Sequence, residues 1–576
     1  MKKIFNIISI IFIFLISFIL HSQEYKVITG GTVINTNGTG VIEDAVIIIK
    51  DSVIVEVGKN IKDKIPQNSE VIEAGGKFII PGLIDSHIHF FQSGGLYTRP
   101  DAIDLRNRLP YASELNWIRN NIDDVFKRYI RCGITTVADM GGPFWNFDIR
   151  DYSRTAEIAP RVFITGPLIS SYEPEKLKSD DLAIIKVSTK DEALKLTKKI
   201  MDKQPDFMKI WYIVGRDGWS SENDFFPIVK AVADESHKKG LPLYVHATEL
   251  ETAKKALQAG ADVLVHMVRD KDVDDEFIEL AKKNNVVIIP TLWVFKSYES
   301  VFTKQMKLLT SEYWLGNPKT ISSFFDMYEL SFDELGERQK KLLVDMKPIE
   351  IDSVWLRNLR RFRDAGITIA VGTDAGNIGV LHGPSIYHEF EYMCKAGLSN
   401  HELLVDATYN AAKMLRKENE LGSIEKGKLA DLVILNSNPL DNIQNTSDIS
   451  VVIKNGKIFV PDSVLPKKPE DIVQVQLNAY NGRDIEAFLS AYTDSVEVFL
   501  FPDTFRYKGK DEMIKVYTEF FNKAPGLHCK LLSRMTNGKY VIDRELITGV
   551  PGRENINAVA IYETAGGLIK KVWFLP

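Results

Sequence analysis

Cysteine is scarce in this chain, which has three among its 576 residues: Cys132, Cys394 and Cys529. An odd number of widely separated cysteines does not make a disulfide framework. None of the three has the surroundings of a nucleophile, and Cys132, which precedes the apolar run 133–137, is expected to be a small buried residue. The composition therefore gives no support to a disulfide-stapled fold or to cysteine-based covalent catalysis.

An excess of positive charge is also missing. The chain has 72 Lys and Arg against 77 Asp and Glu, a formal net charge of −5, and no basic tract after its first residues. Nucleic acid is therefore not an expected partner. A content of 45% hydrophobic and 26% charged residues is typical of a globular protein, and the length predicts more than one domain.

The long apolar run of the chain lies at its start, over residues 4–20, and follows Lys2 and Lys3. This pattern predicts a signal peptide over residues 1–23. The run is short for a membrane span of about 20 residues, although an uncleaved signal anchor is the alternative. No cysteine lies near the cleavage zone, which argues against a lipoprotein anchor. We expect a periplasmic or secreted bacterial protein with no stable membrane span after cleavage.

Two histidines end an apolar, strand-like run over residues 81–89. Side chains alternate along a strand, so His87 and His89 should project from one face and together bind one divalent metal. A single His-x-His pair is more often structural than functional. The rest of the chain has to decide between the two interpretations.

Further apolar runs present Lys209, His246, His266 and Asp374 at or near their ends. Helix-like segments lie between these runs, and such alternation predicts a parallel sheet with crossover helices. Eight strands are predicted, at residues 83–89, 133–140, 162–168, 206–210, 243–246, 263–266, 286–294 and 367–374. Eight strands suffice for an α/β fold of the (β/α)8 TIM-barrel type, whose carboxyl strand ends meet on one face.

Taken together, these motifs resemble the amidohydrolase superfamily, in particular its binuclear, carboxylated-lysine branch of prolidase-like and imidazolonepropionase-related hydrolases. The resemblance covers about residues 25–462. It rests on the run 81–89, Asp206–Lys209, His246, His266, the segment 372–376 (GTDAG) and the segment 422–433 (GSIEKGKLADLV).

The resemblance implies two divalent metal ions, with zinc as the default. His87, His89 and Asp374 would bind the buried metal, and His246 and His266 the exposed one. Lys209, carboxylated at N6, would bridge them. A metal-bridging hydroxide would attack the substrate, with Asp374 as the general base. The structural alternatives are a salt-bridged Lys209 and an Asp374 that caps a helix.

Several other residues are candidates for the site. His382, downstream of Asp374, would contact substrate or orient Asp374, and a purely structural histidine is the alternative. His388 is expected to pack within a helix. Either Trp211 or Tyr212 is a candidate to line the pocket. A further set of residues near strand ends would receive a substrate carboxylate, with surface placement as the alternative: Arg99, Arg216 and Arg269.

Both ends of the amidohydrolase region predict short strands, over 24–80 and 425–462, which would form a β-sandwich beside a barrel at 81–424. The segment 296–352 is an insertion expected either to cover the site as a lid or to pack as an extra helix pair. A proline- and lysine-bearing linker follows at 463–469.

Residues 470–576 read as helices at 471–481 and 484–492 followed by strands at 496–501, 528–535, 539–549, 558–563 and 569–574. This order resembles a SnoaL-like (NTF2-like) α+β cone. Such a domain is expected to bind a ligand or to mediate homo-oligomers. The residues considered for a pocket in it are Asp494, Arg506 and Trp573, with structural roles as the alternative.

The sequence thus predicts a metal-dependent hydrolase of carbon–nitrogen bonds in a small molecule such as an N-acyl amino acid, a dipeptide or a cyclic amide. The same metal site would serve a hydrolase of esters, lactones or phosphotriesters. A third alternative is a non-catalytic ligand-binding protein that keeps the fold.

Overall fold

The computed structural model describes residues 25–345 and 353–575. The predicted signal peptide lies outside these residues. Within the described ranges, every helix is too short or too polar to cross a membrane.

The strands, numbered in chain order, are β1 (Tyr25–Ile34), β2 (Val41–Lys50), β3 (Val53–Lys59), β4 (Glu70–Glu73), β5 (Phe78–Pro81), β6 (Leu83–Ile88), β7 (Ile134–Asp139), β8 (Arg161–Ile164), β9 (Leu168–Ser170), β10 (Ile184–Lys186), β11 (Met208–Trp211), β12 (Leu243–His246), β13 (Val263–Val265), β14 (Val287–Ile289), β15 (Thr368–Ile369), β16 (Leu432–Leu435), β17 (Ile449–Lys454), β18 (Lys457–Phe459), β19 (Tyr492–Leu500), β20 (Thr504–Lys508), β21 (His528–Asn537), β22 (Tyr540–Thr548), β23 (Ile556–Ala565) and β24 (Leu568–Leu575).

The α-helices are α1 (Tyr111–Asn120), α2 (Ile122–Arg131), α3 (Asn146–Ser153), α4 (Lys190–Met201), α5 (Glu222–Lys238), α6 (Leu250–Ala259), α7 (Asp275–Lys283), α8 (Leu292–Phe302), α9 (Thr310–Leu315), α10 (Pro318–Phe324), α11 (Glu337–Asp345), α12 (Ser353–Asp364), α13 (Ser385–Lys395), α14 (Asn400–Asp406), α15 (Tyr409–Met414), α16 (Pro461–Val464), α17 (Pro469–Gly482), α18 (Ile485–Ser490) and α19 (Lys510–Lys523).

Strands from both ends of the amidohydrolase-like region join in one eight-stranded sheet, in the order β18-β17-β16-β5-β1-β2-β3 with β4 paired to β1. The junction is the antiparallel pairing of β16 with β5, in which Leu432 lies opposite Pro81. Ile28, Ile47 and Leu432 are fully buried in the core of this sheet. The strands before β6 and the strands β16 to β18 therefore form one sheet, in spite of their distance in sequence.

The central strands form two parallel sheets. One has the order β6-β7-β8 and the other the order β10-β9-β11-β12-β13-β14-β15. Every residue of β6 and β7 is buried, as expected for strands covered on both faces. Because all these strands run in the same direction, their carboxyl ends lie at one edge of the sheets.

Backbone hydrogen bonds connect the two parallel sheets at both of their margins. The Ser86 N–H donates to the Val371 carbonyl at 2.9 Å, and the Asp374 N–H donates to the His87 carbonyl at 2.7 Å. At the other margin, the Asp206 N–H donates to the Ile164 carbonyl at 2.8 Å. The segments that carry the predicted metal ligands are thus held in register.

Helices cross over between the strands, as the alternation of the sequence predicts. Helix α4 begins with a capping box, in which the Thr189 side chain accepts from the Glu192 N–H. Helix α6 ends at Gly260, whose φ of 104° is in the region that glycine tolerates best. Helix α2 buries Val125, Phe126, Tyr129 and Ile130.

The strand predicted at 286–294 is shorter than expected. Residues 286–294 contain β14 only up to Ile289, and α8 begins at Leu292. The carboxylate of Glu389, nearly 100 residues away in sequence, accepts from the Leu292 and Trp293 N–H groups at 2.8 and 3.0 Å. A cap from so distant a residue is not visible in local sequence.

The insertion at 296–352 consists of short helices, including part of α8 and all of α9, α10 and α11, up to the last described residue before 353. The C-terminal domain packs against it. The Trp314 indole N–H donates to Ser490 Oγ at 2.9 Å, and the Asn478 amide donates to the Pro318 carbonyl at 2.9 Å. The Tyr328 ring stacks on His528 at 5.8 Å between centroids.

The C-terminal domain has a six-stranded sheet in the order β20-β19-β24-β23-β22-β21, with α17, α18 and α19 packed on it. The helices and strands expected here are present with slightly different ends. Two further elements, β20 and α19, were not predicted from the sequence and lie in the interval 502–527 between predicted strands.

Candidate metal centre

The six predicted metal ligands come from the carboxyl ends of five parallel strands or the residues that follow them. His87 lies in β6 and His89 directly after it, Lys209 lies in β11 and His246 ends β12. A second group follows its strands: His266 comes after β13 and Asp374 after β15. All six side chains line one cavity of about 460 Å³. The six side chains therefore converge at one edge of the parallel strands, as the sequence predicts.

His87, His89 and Asp374 form the tightest part of this group. The Nε2 atoms of His87 and His89 are 3.2 Å apart, and they lie 3.3 and 3.1 Å from Oδ1 of Asp374. The other nitrogen of His89, Nδ1, donates to the Gly141 carbonyl at 2.7 Å. Three possible ligand atoms therefore face one another in a buried space.

His266 and His246 extend the group. The ring centroids of His87 and His266 are 5.0 Å apart, and those of His246 and His266 are 4.5 Å apart. Nδ1 of His266 lies 2.6 Å from Oγ1 of Thr291 and 4.0 Å from Oδ2 of Asp374. Contact with Thr291 fixes the ring, so that Nε2 is the nitrogen left for a ligand.

The backbone is strained at three positions of the site. His266, Thr291 and Asp374 have φ values of 77°, 46° and 63°, which residues other than glycine rarely adopt. Such conformations cost on the order of 1–3 kcal/mol each and occur preferentially where side chains must be aimed at a ligand. The strain is thus concentrated at two of the predicted ligands and at the partner of one of them.

Lys209 is buried, with 2% of its surface exposed, and Nζ has no hydrogen-bond partner within the described part of the chain. Burial lowers the pKa of Lys209 to about 7, although the charge of Asp374 opposes this change. Buried polar groups in folded proteins are almost always paired. An unpaired amine among metal-ligand side chains is the expected state of a residue that lacks its partner group.

The electrostatics of the ligands suit cation binding. Burial, and then the charge of Lys209, hold the pKa of His87 and His246 well below the usual value, so that both rings are neutral and can donate a lone pair. Burial would raise the pKa of Asp374, but the hydrogen bond and charge of His89 hold it below its usual range. Neutral imidazoles around an ionised carboxylate fit a divalent metal such as zinc.

His87, His266 and Asp374 each place one ligand atom within 4.8 Å of the other two. Imidazole and carboxylate donors at such distances fit a metal ion, and the unpaired Lys209 amine fits a bridging group after carboxylation. The donor set present in this chain therefore suits the metals that the sequence analysis expects.

Asp85, Asp139 and Asn377 support these ligands and were not singled out from the sequence. Asp85 accepts from the N–H groups of His87 and Thr373 and from the Thr373 hydroxyl at 2.7 Å. Burial raises the pKa of Asp85 to about 7. The signal for Asp85 is its position two residues before His87, where a strand places it on the same face.

Asp139 supports the loop that contacts His89, and Asn377 supports Asp374 directly. Asp139 accepts from the Gly141 N–H at 3.3 Å and from the Asn146 amide at 2.7 Å, which fixes the loop whose carbonyl contacts His89. The Asn377 amide donates to Oδ1 of Asp374 at 2.7 Å. Asp139 ends β7, so its signal is a carboxylate at the end of a predicted strand. Asn377 lies in the loop after β15, where single-sequence patterns carry little information.

His382 lies outside the cavity. Its Nδ1 is 2.8 Å from the Tyr129 hydroxyl, its Nε2 is 2.7 Å from the Gln92 carbonyl, and its ring stacks on Phe90. Both nitrogens are engaged in the core, so the ring contacts neither the cavity nor Asp374. This placement corresponds to the structural alternative rather than to the predicted catalytic contact.

His388 is also buried, as expected of a packing residue. Its Nε2 forms an ion pair with Glu312 at 2.7 Å, and its ring stacks on Trp293 at 4.2 Å between centroids. Of the two aromatic candidates, Trp211 lines the cavity. Tyr212 is fully buried in the core, where its hydroxyl donates to the Glu222 carbonyl.

The three candidate arginines all line the cavity: Arg99, Arg216 and Arg269. Two residues of the insertion join them, Tyr298 of α8 and Arg338 of α11. Arg99 binds Asp101 through two hydrogen bonds of 2.8 and 2.6 Å and contacts Asn377 at 2.7 Å. The insertion therefore contributes side chains to the cavity wall.

In the C-terminal domain, the residues considered for a pocket lie near the surface. Asp494 is 97% exposed and pairs with Lys510 at 3.0 Å, and Arg506 is exposed. Trp573 is half-buried and stacks on Phe499 at 5.8 Å between centroids. These positions agree with structural or surface roles.

Known proteins similar to this chain share its fold. Imidazolonepropionase from Brevibacillus brevis is 23% identical over 492 residues, which cover 78% of this chain and 98% of that protein. The solved structure of a Xaa-Pro dipeptidase with methionine bound in its active site covers 76% of this chain and all of its own, with 23% identity and a TM-score of 0.56. The structure of molinate hydrolase has 23% identity and a TM-score of 0.58, and covers 78% and 97% of the two chains.

Family patterns cover most of the described chain. The pattern of the amidohydrolase family matches residues 78–459, and that of the SnoaL-like domain matches residues 473–572. The first match includes all six residues of the candidate metal centre and the second begins within α17. The chain is a hydrolytic enzyme that belongs to the amidohydrolase family and carries a C-terminal SnoaL-like domain.

Proposed function

We propose that this protein is a metal-dependent hydrolase of carbon–nitrogen bonds in a small substrate, such as an N-acyl amino acid, a dipeptide or a cyclic amide. The observation that carries the proposal is the convergence of six ligand-type side chains, one of them the buried and unpaired Lys209, on a 460 Å³ cavity. The names of the relatives, imidazolonepropionase and Xaa-Pro dipeptidase, support this substrate range.

The eight parallel strands β6, β7, β8, β11, β12, β13, β14 and β15 are proposed to form a closed (β/α)8 barrel. Its support is the set of backbone hydrogen bonds that join both edges of the three-stranded sheet, β6 and β8, to the other parallel sheet. A barrel explains why six side chains distant in sequence reach one cavity.

In this proposal, His87, His89 and Asp374 hold one divalent ion and His246 and His266 a second, while Lys209 carboxylated at N6 bridges them. Zinc is the default metal for imidazole and carboxylate donors. When bound, such ions lower the pKa of a water molecule and polarise the bond under attack. The uncharged form of Lys209, favoured by its burial, is the form that reacts with carbon dioxide.

Asp374 is proposed to take up the proton of the attacking water and to deliver it to the leaving nitrogen. Oδ1 of Asp374 is already surrounded by His87, His89 and Asn377. Oδ2 has no comparably close neighbour in the described residues and is 4.0 Å from His266. The proton is therefore assigned to Oδ2, while the Asn377 amide keeps the carboxylate from rotating.

The predicted signal peptide supports a periplasmic or secreted location for the mature protein. A small molecule is the proposed partner, and nucleic acid is not. The C-terminal domain is proposed to serve as a binding or homo-oligomerisation module, although its contacts with the insertion also give it a structural role.

Elemental analysis of protein purified without chelator and with bicarbonate tests the metal site. We expect about two metal ions per chain, and one or fewer in Lys209→Ala. Lys254→Ala is the control, because Lys254 is also buried but pairs with Asp274 and Glu276 at 2.6 Å. A single metal ion that persists in Lys209→Ala would contradict the bridging role.

A substrate panel then tests the reaction. Acyl amino acids, dipeptides and cyclic amides are compared with esters, lactones and phosphotriesters, and all assays use the metal-loaded enzyme. If the enzyme hydrolyses only the esters, lactones or phosphotriesters, its function is hydrolysis of carbon–oxygen or phosphorus–oxygen bonds and not of amides. Metal-free protein that binds small molecules without turnover would favour the ligand-binding alternative.

A further inference from the structure

Three arginines of the cavity form no ion pair with the described residues. Arg216, Arg269 and Arg338 all line it, and none forms an ion pair with any residue that the structure describes. Arg99, on the same wall, shows the contrasting state, since it is neutralised by Asp101. Unpaired guanidinium groups in a concave site favour anionic ligands, because each offers several donors in a planar fork.

The guanidinium groups of two of these arginines pack over aromatic rings. The guanidinium carbon of Arg216 is 4.9 Å from the centre of the Tyr172 ring, and that of Arg269 is 4.4 Å from the centre of the Phe295 ring. Cation–π contacts of this kind occupy the face of the guanidinium. The N–H groups along its edge remain available for a ligand.

A row of ring contacts connects these two arginines through the metal centre. The strand order separates them, because Arg216 follows β11 and Arg269 follows β13, with β12 between these strands. Tyr172 contacts Trp211 at 6.1 Å between centroids, and Trp211 contacts His246 at 5.7 Å. On the other side, His266 contacts Phe295 at 5.9 Å. Because His246 and His266 adjoin each other, Arg216 ends the row on one side and Arg269 ends it on the other.

Arg338 adds positive charge near Arg269. Burial lowers the pKa of Arg269, the charge of Glu249 opposes this change, and the nearby positive charge of Arg338 lowers the pKa further. Glu249 is the carboxylate of this wall, and it accepts from the Thr248 hydroxyl at 2.8 Å. The charge of Asp270 also opposes the change, but Asp270 accepts from the Leu250 N–H at 2.9 Å and does not line the cavity. Among the residues that line this end of the cavity, two arginines therefore accompany one carboxylate.

We infer that Arg216 forms one anion-binding subsite and that Arg269 with Arg338 forms a second, so that the substrate carries a carboxylate on each side of the bond that is hydrolysed. This inference rests on the proposed function and narrows its substrate class to dianionic amides. An acyl amino acid whose acyl group ends in a second carboxylate, or a dipeptide with an acidic N-terminal residue, has the required charges. The three arginines determine specificity and take no part in the bond cleavage.

Four compounds test the inference, and they differ only in the two carboxylates: N-succinyl-leucine, N-butyryl-leucine, N-succinyl-leucinamide and N-butyryl-leucinamide. Hydrolysis at the acyl bond is followed by mass spectrometry of the released amine. We expect each carboxylate to raise kcat/KM by at least about tenfold. Arg216→Gln should abolish the preference for one carboxylate, and Arg269→Gln or Arg338→Gln should reduce the preference for the other, through KM rather than kcat.

Arg154→Gln is the control, because Arg154 is largely exposed and pairs with Asp151 away from the cavity. Binding is measured separately by calorimetry, with suberate as the dicarboxylate probe and octanoate as its monocarboxylate counterpart. Suberate is expected to bind at least about tenfold more tightly, and the difference should disappear in the Arg216→Gln, Arg269→Gln double variant.

The outcomes separate this inference from the proposed function. Equal hydrolysis of all four amides, with unchanged preferences in the variants, would overturn the anion subsites and leave amide hydrolysis intact. If all four amides are inert while suberate binds in an arginine-dependent manner, amide hydrolysis fails and the two subsites stand. Equal affinities for suberate and octanoate would also overturn the inference.

Discussion

Lys209 in the amidohydrolase region and Arg534 in the C-terminal domain are both largely buried cations, but their surroundings differ. Nζ of Lys209 has no hydrogen-bond partner among the described residues. Arg534 holds Asp543 through two hydrogen bonds of 2.7 and 2.6 Å and also donates to Gln474 at 2.9 Å. Burial of a charged group is costly unless it is paired. Lys209 is therefore shifted towards its neutral form, whereas Arg534 remains a cation within a complete ion pair.

The interiors of the two regions continue this contrast. Around Lys209, the cavity is lined by imidazoles, carboxylates and arginines. In the C-terminal domain, a cluster of aromatic rings fills the space between helices and sheet, with Phe488 and Tyr517 at 4.5 Å and Tyr480 and Phe521 at 5.6 Å between centroids. One oxygen of Glu545 is unpaired there, but burial raises its pKa to about 7, so that a proton offsets part of the cost.

The comparison teaches that unpaired polar groups locate chemistry better than burial does. Both regions have many fully buried residues, yet the unpaired amine and the facing ring nitrogens occur together in the first region. The following predictions test whether the polar groups of the first region serve the reaction and whether those of the second serve stability.

The largest effect is expected for Asp374→Asn. Asparagine keeps the shape of the side chain and its contact with Asn377, but it cannot take up a proton, so kcat should fall by about 10³-fold. Metal content, measured by elemental analysis, should stay close to that of the wild type. An Asn variant with full activity and normal metal content would remove Asp374 from its proposed role.

The contrasting prediction concerns Arg534→Met. This change leaves the carboxylate of Asp543, which is fully buried, without its partner, and the expected loss is about 3–5 kcal/mol in the free energy of unfolding of the C-terminal domain. Hydrogen exchange of the backbone amides in β21 to β24, followed as denaturant is added, measures it. Metal content should be unchanged, since Arg534 lies in the domain that does not supply the ligands. A matching loss of metal would show that the two regions are not separable in this way.

Thr291→Val is a milder test of the metal centre. Valine is branched at Cβ like threonine, so the backbone φ of 46° is equally strained in both, and only the hydroxyl that contacts His266 is lost. Removal of such a partner typically lowers metal affinity by about 10–100-fold. Competition with a chelator measures the affinity. Unchanged affinity would mean that Phe295 and the other neighbours of His266 suffice to hold its ring.

The sequence predicted the part of the site that depends on periodicity. Each ligand lies at or just after the end of an apolar run, and parallel strands bring such ends together whatever the loops do. Asn377, Thr291 and Arg338 could not be found in this way, because they lie in loops or in the insertion and reach the site through long-range contacts. His382 illustrates the same limit, since its position after the last strand did not reveal that Tyr129 and Gln92 hold its ring in the core.

The fold was predictable to a similar extent. All eight expected parallel strands are present, but β14 and β15 are shorter than the apolar runs that contain them. The run 286–294 is cut short by the cap that Glu389 gives to α8. In the C-terminal domain, α19 has a two-sided pattern but only two fully buried positions, which makes it hard to recognise next to stronger strand signals.

The smallest predicted effect is the pH dependence of the stability that His388 contributes. Burial would lower the pKa of His388, but the charges of Glu312 and then Glu391 raise it to about 9. Because this value exceeds the unfolded pKa of about 6.5, the pair stabilises the fold fully below about pH 6.5, and the contribution is lost as the pH rises through about 9.

The difference in Tm between the wild type and His388→Gln should therefore be a few degrees at pH 6 and close to zero near pH 10. His237→Gln is the control, since His237 pairs with Asp262 at 2.8 Å on a more exposed surface. A difference in Tm that is independent of pH would mean that His388 contributes by packing on Trp293 alone, as the aromatic residues of the C-terminal domain do.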